Sequence, residues 1–175
     1  MEILNPPKGS YSINNKKEHY EFLGKLMNFF VLNDSKYSYS KNGIKYFGWA
    51  GQKILNILNG KIASLFDLKS PPIVKVKMRE ILNYFRNNKL WEPDIKYSQE
   101  YFVCSDQNSN LINNWCNHIR NSLAHGLFGI FLNENDEEYV WFQNKGNKNK
   151  INMRGIIKKS NLLKIIDIIE TGYKE

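Results

Sequence analysis

Cysteine and arginine are scarce in this 175-residue chain. Two cysteines, Cys104 and Cys116, are too few to staple a small secreted domain, so free thiols in a reducing cytoplasm are expected. No apolar run approaches the roughly 18 residues that read as a bilayer span, and no membrane partner is expected. The opening stretch Met1-Glu2-Ile3-Leu4-Asn5-Pro6-Pro7 lacks a basic segment followed by an apolar one, so it does not read as a secretory signal. No P-loop or dinucleotide fingerprint occurs, and no Cys/His spacing suits zinc. Neither a cofactor nor a metal is therefore expected.

What is present is apolar and basic. Hydrophobic residues make up 42% of the chain and aromatic residues 14%, which excludes a disordered chain and suffices for one core. Lys and Arg total 25 against 17 acids, a formal net charge of +8. Such a domain attracts polyanions, although an AT-rich genome by itself accounts for much of the lysine. The only arginines are Arg79, Arg86, Arg120 and Arg154. The length suits a single domain over 1–175, with residues 1–15, rich in Pro, Gly, Ser and Asn, as a loose arm.

Periodicity predicts mostly helix. Apolar residues at spacings of three and four predict a helix from Lys16 to Leu32, a second from Ile44 to Leu58 stopped by Asn59-Gly60, and a short turn of helix over 62–68. Ser70-Pro71-Pro72 predicts the start of another over 73–87. Residues 88–108 read as an aromatic loop. Ser109 or Asn110 caps a helix to Ala124, with Gly126 as its left-handed stop. Phe128 to Leu132 and Tyr139 to Phe142 flank an acidic turn and predict a β-hairpin. A basic loop, Lys145 to Lys150, precedes a closing helix over 160–171. The expected class is mostly α, a helical bundle with a hairpin after the helix of residues 110–124.

That helix carries the chemistry. At 100° per residue, Ile112, Cys116, Ile119 and Leu123 form an apolar stripe, with Trp115 at its border. Asn114, His118, Asn121 and His125 form a second stripe, expected to face solvent, with Arg120 at its edge. No lysine lies between Lys96 and Lys145. Asn121 and His125 are neighbours one turn apart. Imidazole exchanges protons near neutral pH, and guanidinium offers a permanent fork for phosphate. Arg120, Asn121 and His125 together suit cleavage of a phosphodiester without metal: Arg120 neutralises charge developing at phosphorus, Asn121 orients the imidazole or holds a phosphate oxygen, and His125 moves a proton. The ordinary alternative is a surface arginine and a capping histidine. His118, ~10.5 Å along the axis from His125 by helical rise, reads as a packing or substrate-edge residue. Lys145, Lys148 and Lys150 read as an RNA-binding rim or as a solvated loop.

The segment Arg120-Asn121-Ser122-Leu123-Ala124-His125-Gly126 resembles the signature of HEPN domains: an arginine, a polar residue, and a histidine a few positions later at a helix end. Arg120 and His125 match the two catalytic positions and Asn121 the polar one. The hairpin and closing helix after it also look like a bacterial stand-alone HEPN protein of toxin or phage-defence type. The resemblance implies a HEPN-like helical bundle, and a metal-independent endoribonuclease that leaves 2′,3′-cyclic phosphate and 5′-hydroxyl ends. It implies a homodimer with two motifs facing one cleft, and leaves room for an antitoxin or regulatory partner. A subgroup carries a tyrosine two residues after the histidine; here that residue is Leu127, so control through that tyrosine is not implied. Transfer of two protons per cleavage, with one well-placed imidazole per chain, favours a shared site on independent grounds. The rival expectation is a non-catalytic RNA- or nucleotide-binding module or partner subunit. A helix-turn-helix regulator is weaker, because the motif helix has no Lys/Arg cluster.

Overall fold

The computed structural model describes residues 17–32, 39, 43–88, 100–105, 110–133, 135–146 and 150–174. Among the described residues, one sheet is accompanied by the helices α1 (Lys17–Phe30), α2 (Gln52–Ser64), α3 (Ile81–Asn87), α4 (Leu111–Ala124) and α5 (Lys159–Thr171). A 3-10 turn at Ile44–Phe47 leads into α2. The strands are β1 (Ile73–Val76), β2 (Tyr101–Ser105), β3 (Phe128–Leu132), β4 (Glu138–Lys145) and β5 (Ile151–Lys158). They lie in the order β1-β2-β5-β4-β3, with β1 parallel to β2 and every other pair antiparallel.

This architecture overturns the expected helical bundle: the chain is mixed α/β, with a sheet at its centre. Two elements hid the sheet from sequence reading. All five residues of β2 are buried, as befits a strand flanked by two others and covered on both faces, and such a strand shows no alternation. In β5 the polar Asn152 and Arg154 interrupt the apolar run, yet both are buried. The helix expected over 73–87 is likewise corrected. Its first part is the strand β1, where Ile73, Val74 and Val76 are β-branched and favour extended backbone, and only Ile81–Asn87 is helical. The second helix is also displaced. Gly48 and Gly51, at φ 82° and 84°, interrupt the chain before α2. The helix then passes through Asn59-Gly60, because burial of Leu58, Ile62 and Ala63 outweighs the ~1 kcal/mol that an internal glycine costs.

Other expectations match the structure: α1, α5, the hairpin β3–β4, the Asn110 cap and the left-handed Gly126. The loose arm over 1–15 lies outside the described residues.

Alternation in the strands divides the core in two. Phe102, Cys104, Val140, Phe142, Met153 and Ile157 face a helical layer of α1, α2, α4 and α5. Tyr101, Val103, Tyr139 and Ile156 face the other way, where Ile81 and Phe85 of α3 pack. Between β4 and β5 the register slips, Asn144 pairing with Met153 and Lys145 with Ile151. Asn152 is the extra residue of this bulge, and it shifts Ile151 to the α3 side.

The sheet centre is tightest where Phe102 of β2 faces Gly155 of β5. A methyl group on Gly155 would run into the Phe102 ring, and the ring is itself wedged edge-on against Trp115 of α4, 5.3 Å away between centroids. Gly155→Ala is therefore expected to destabilise the fold by about 2 kcal/mol or more through overpacking, read as a lower urea midpoint at unchanged m. An unshifted midpoint would show that the sheet and α4 are not packed as described.

Candidate nuclease site at the end of helix α4

Helix α4 begins from a built-in cap. The Asn110 side chain accepts the Asn113 backbone N–H at 2.8 Å, meeting one of the donors a helix start leaves open. It ends in a Schellman arrangement: Leu127 N–H donates to the Ser122 carbonyl (2.8 Å) and Gly126 N–H to the Leu123 carbonyl (3.2 Å). Gly126, at φ 64°, takes the left-handed conformation that lets the chain reverse. The Gln143 N–H then donates to the Leu127 carbonyl (2.8 Å), fastening the helix end to β4.

Strand directions place the motif. The C-terminal ends of β1, β2 and β4 and the N-terminal ends of β3 and β5 share one end of the sheet. Helix α4 crosses the strands at that end, on the face of the large helical layer. It starts beside Ser105 of β2, passes Asn144 of β4 and finishes at β3.

This crossing corrects the expected solvent stripe. Asn114 and His118 are fully buried. Asn114 Nδ2 donates to the Ser105 carbonyl (2.9 Å), and His118 Nε2 donates to the same oxygen (3.2 Å). Asn144 Nδ2 donates to His118 Nδ1 (2.9 Å). A carbonyl only accepts, so Nε2 carries a proton; an amide N–H only donates, so Nδ1 carries none, and the Asn144 contact therefore requires neutral imidazole. Burial holds the His118 pKa down to about 4, against a smaller opposing effect of the Ser105 carbonyl. His118 is thus a buried structural bridge between α4 and strands β2 and β4, and not the surface residue expected to contact RNA. The stripe was misread because α4 is covered on two sides, by α1 and by the sheet. Its buried arc is therefore wider than its apolar stripe.

The remaining motif residues do reach the surface. Arg120 and His125 are exposed and Asn121 is half-buried between them. His125 is the C-cap residue of α4, its own N–H donating to the Asn121 carbonyl at 3.1 Å. The neighbouring face is organised by Tyr39, whose hydroxyl lies 3.1 Å from the Asn113 carbonyl and 3.0 Å from Asn117 Oδ1. Burial, with help from Cys116, pushes the Tyr39 hydroxyl far above its ordinary range, and Arg120 opposes the shift. Tyr39 is therefore a neutral strut beside Arg120. Nothing local in the sequence signals it, since its partners lie 74 and 78 positions away.

The basic loop is only partly assembled with the motif. Lys145 ends β4 and is half-buried; by strand alternation its side chain leaves on the face opposite α4. Lys150 is exposed in the β4–β5 turn, where its carbonyl accepts the Gly146 N–H. Lys148 lies outside the described residues. Arg154, which sequence reading passed over, is fully buried in the central strand β5.

The chain matches no family model, no curated protein and no solved structure. Among the described residues no group of three or more His, Cys, Asp and Glu is arranged to hold a metal ion, and no helix is long and apolar enough to cross a membrane. Both cysteines are free and buried. A concave cleft of about 330 Å³ lies at the opposite end of the sheet, lined by Glu137, Glu138, Lys158, Lys159, Ser160 and Leu163. Its charges are spent on one another: Lys158 pairs with Glu137, and Lys159 with Glu138 at 2.6 Å. It shares no residue with the motif.

Neutral His118 gives the fold a defined acid sensitivity. Its pKa is lower folded than unfolded, so its stabilising effect is complete above the unfolded value near 6.5 and is lost as pH falls towards 4. Unfolding free energy, followed by urea titration at stepped pH, should fall by about 3 kcal/mol across that window from this group. The His118 imidazole resonances should stay in the neutral form down to about pH 4. Titration of His118 near pH 6.5 would contradict the buried bridge.

Proposed function

We propose that the chain is a metal-independent endoribonuclease in which Arg120, Asn121 and His125 act on the phosphodiester. The observation that carries this reading is the contrast within α4. Asn114 and His118 are buried and hydrogen-bonded, while Arg120 and His125, about one and a half turns apart at the helix end, are both exposed. Of the expected motif stripe, Asn121 and His125 reach the surface beside Arg120, and these three are the residues that match the HEPN signature. The support is local to the motif, because the helical bundle that the resemblance implied is not the fold observed.

In the proposed reaction the 2′-oxygen of a ribose attacks the adjacent phosphorus, the P–O5′ bond breaks, and a 2′,3′-cyclic phosphate and a 5′-hydroxyl form. One proton leaves the 2′-oxygen and one is delivered to the 5′-oxygen. His125 carries one transfer, Arg120 stabilises the charge on the non-bridging oxygens, and Asn121 holds a phosphate oxygen or the imidazole. The second transfer is assigned to His125 of another copy, brought across a two-fold axis in a homodimer. A toxin or phage-defence role, held in check by an antitoxin or regulatory partner, would suit such an activity in a bacterial host.

His125→Ala and Arg120→Ala should each keep the wild-type circular dichroism and urea midpoint and lower RNA cleavage by ~10²-fold or more. Wild-type cleavage should persist in excess EDTA. Exchange of wild type into a tenfold excess of His125→Ala should collapse activity per wild-type chain if the site is shared. Full-rate cutting by pure His125→Ala would remove the assignment, and unchanged activity per wild-type chain after confirmed exchange would remove the shared site.

A further inference from the structure

The two ends of the sheet differ in how their charges are used. At the end away from the motif, carboxylates are matched locally. Glu137 pairs with Lys158, and Glu138 with Lys159 and His19. Glu100 accepts the Lys158 backbone N–H (2.7 Å) and the Asn161 side-chain amide (2.9 Å). At the motif end the balance is reversed. The turn after β1 carries Lys77 and Arg79, both exposed, and the β4–β5 turn carries Lys145 and Lys150. Helix α4, which spans this end, contains no carboxylate. Among the described residues of these segments the one acid is Glu80, in an exposed 3.4 Å contact with its neighbour Arg79. Exposed pairs of that kind are worth little.

The two basic turns are also built against each other. Gly146 lies close to side chains of both neighbours: a methyl group there would stand 3.0 Å from Asn152 Nδ2, a tight contact, and 3.8 Å from the Met78 Cε, an ordinary one. Met78, between Lys77 and Arg79, therefore reaches across to the β4–β5 turn. From β4 to β1 the sheet is three strand spacings wide, roughly 14 Å. The β4 side of this rim is fastened to the motif helix through the Gln143 to Leu127 hydrogen bond.

We infer that Lys77 and Arg79, with Lys145 and Lys150, form a phosphate-binding rim that holds the backbone of a single RNA strand running on from the motif. It extends the proposed ribonuclease reading by assigning a second contact region, made of residues other than those of the motif. The width of the rim suits contact with more than one phosphate of the same strand. Binding there uses charge and counterion release, so it is salt-dependent and indifferent to base sequence.

The test uses the full chain carrying His125→Ala, so that a fluorescein-labelled 20-nucleotide single-stranded RNA stays intact during binding. Lys77→Glu/Arg79→Glu is compared with a control of equal charge change on the helical layer, Lys53→Glu/Lys164→Glu. The rim variant should bind at least tenfold more weakly at 50 mM salt. The slope of log K against log salt should become shallower by about 0.7 for each phosphate that the rim no longer neutralises. The control should change affinity less than threefold. Equal losses in both variants would reduce the effect to net charge and overturn the rim. No binding of RNA at low salt, or binding of vesicles of anionic lipid through the same residues in place of RNA, would overturn it too. Cleavage separates this inference from the one before. Rim-dependent binding by a wild type that never cuts RNA would remove the ribonuclease reading and leave the rim. Normal cutting by the rim variant in the wild-type background, with unaltered KM and salt dependence, would remove the rim and leave the ribonuclease.

Discussion

The Ser105 carbonyl at the end of β2 accepts hydrogen bonds from both Asn114 and His118, and His118 in turn accepts from Asn144 on β4. These bonds bind one helix to two strands that are not neighbours in the sheet. All the groups are buried, where an unmade hydrogen bond costs about 1–3 kcal/mol, so the helix has little freedom to slide or rotate. Fixing the start and middle of α4 also fixes where it ends. The Schellman turn and the bond from Gln143 to Leu127 then bring Arg120, Asn121 and His125 to the surface at the sheet end.

The same constraint explains why amides and a histidine occupy positions that would ordinarily be apolar. A helix laid across strand ends meets backbone carbonyls there, and the Ser105 carbonyl accepts two of its side-chain donors. Leucine at 118 would bury the Ser105 carbonyl with one donor fewer, whereas imidazole can donate to it and still accept from Asn144. The cost is that the imidazole must stay neutral, which ties this part of the fold to pH.

Charge is arranged along the strands as well. Acidic and basic groups at the Glu137 end neutralise one another, whereas among the described residues of α4 and the two turns at the motif end Glu80 is the one carboxylate against several cations. A helix free of carboxylates therefore lies beside two lysine-bearing turns, which suits a polyanion approaching from that side.

Much of the helical part could be read from sequence. The 3.6-residue periodicity of α1, α4 and α5, the Asn110 cap and the Gly126 stop are local signals, and local energetics decide them. The hairpin β3–β4 was legible for the same reason. Arg120, Asn121 and His125 could be singled out because they lie within one and a half turns of a single helix. Tertiary structure alone decided the sheet. β1 is short, β2 has no alternation, and β5 carries Asn152 and Arg154, which become acceptable only in the environment the other strands provide. It also decided which polar residues of α4 are surface and which are structural. A helix sequence reveals its apolar stripe, but the buried arc depends on what packs around it. His118 and His125 fall on the same stripe; one is sealed against β2 and β4, and the other stands past the edge of that contact, in water.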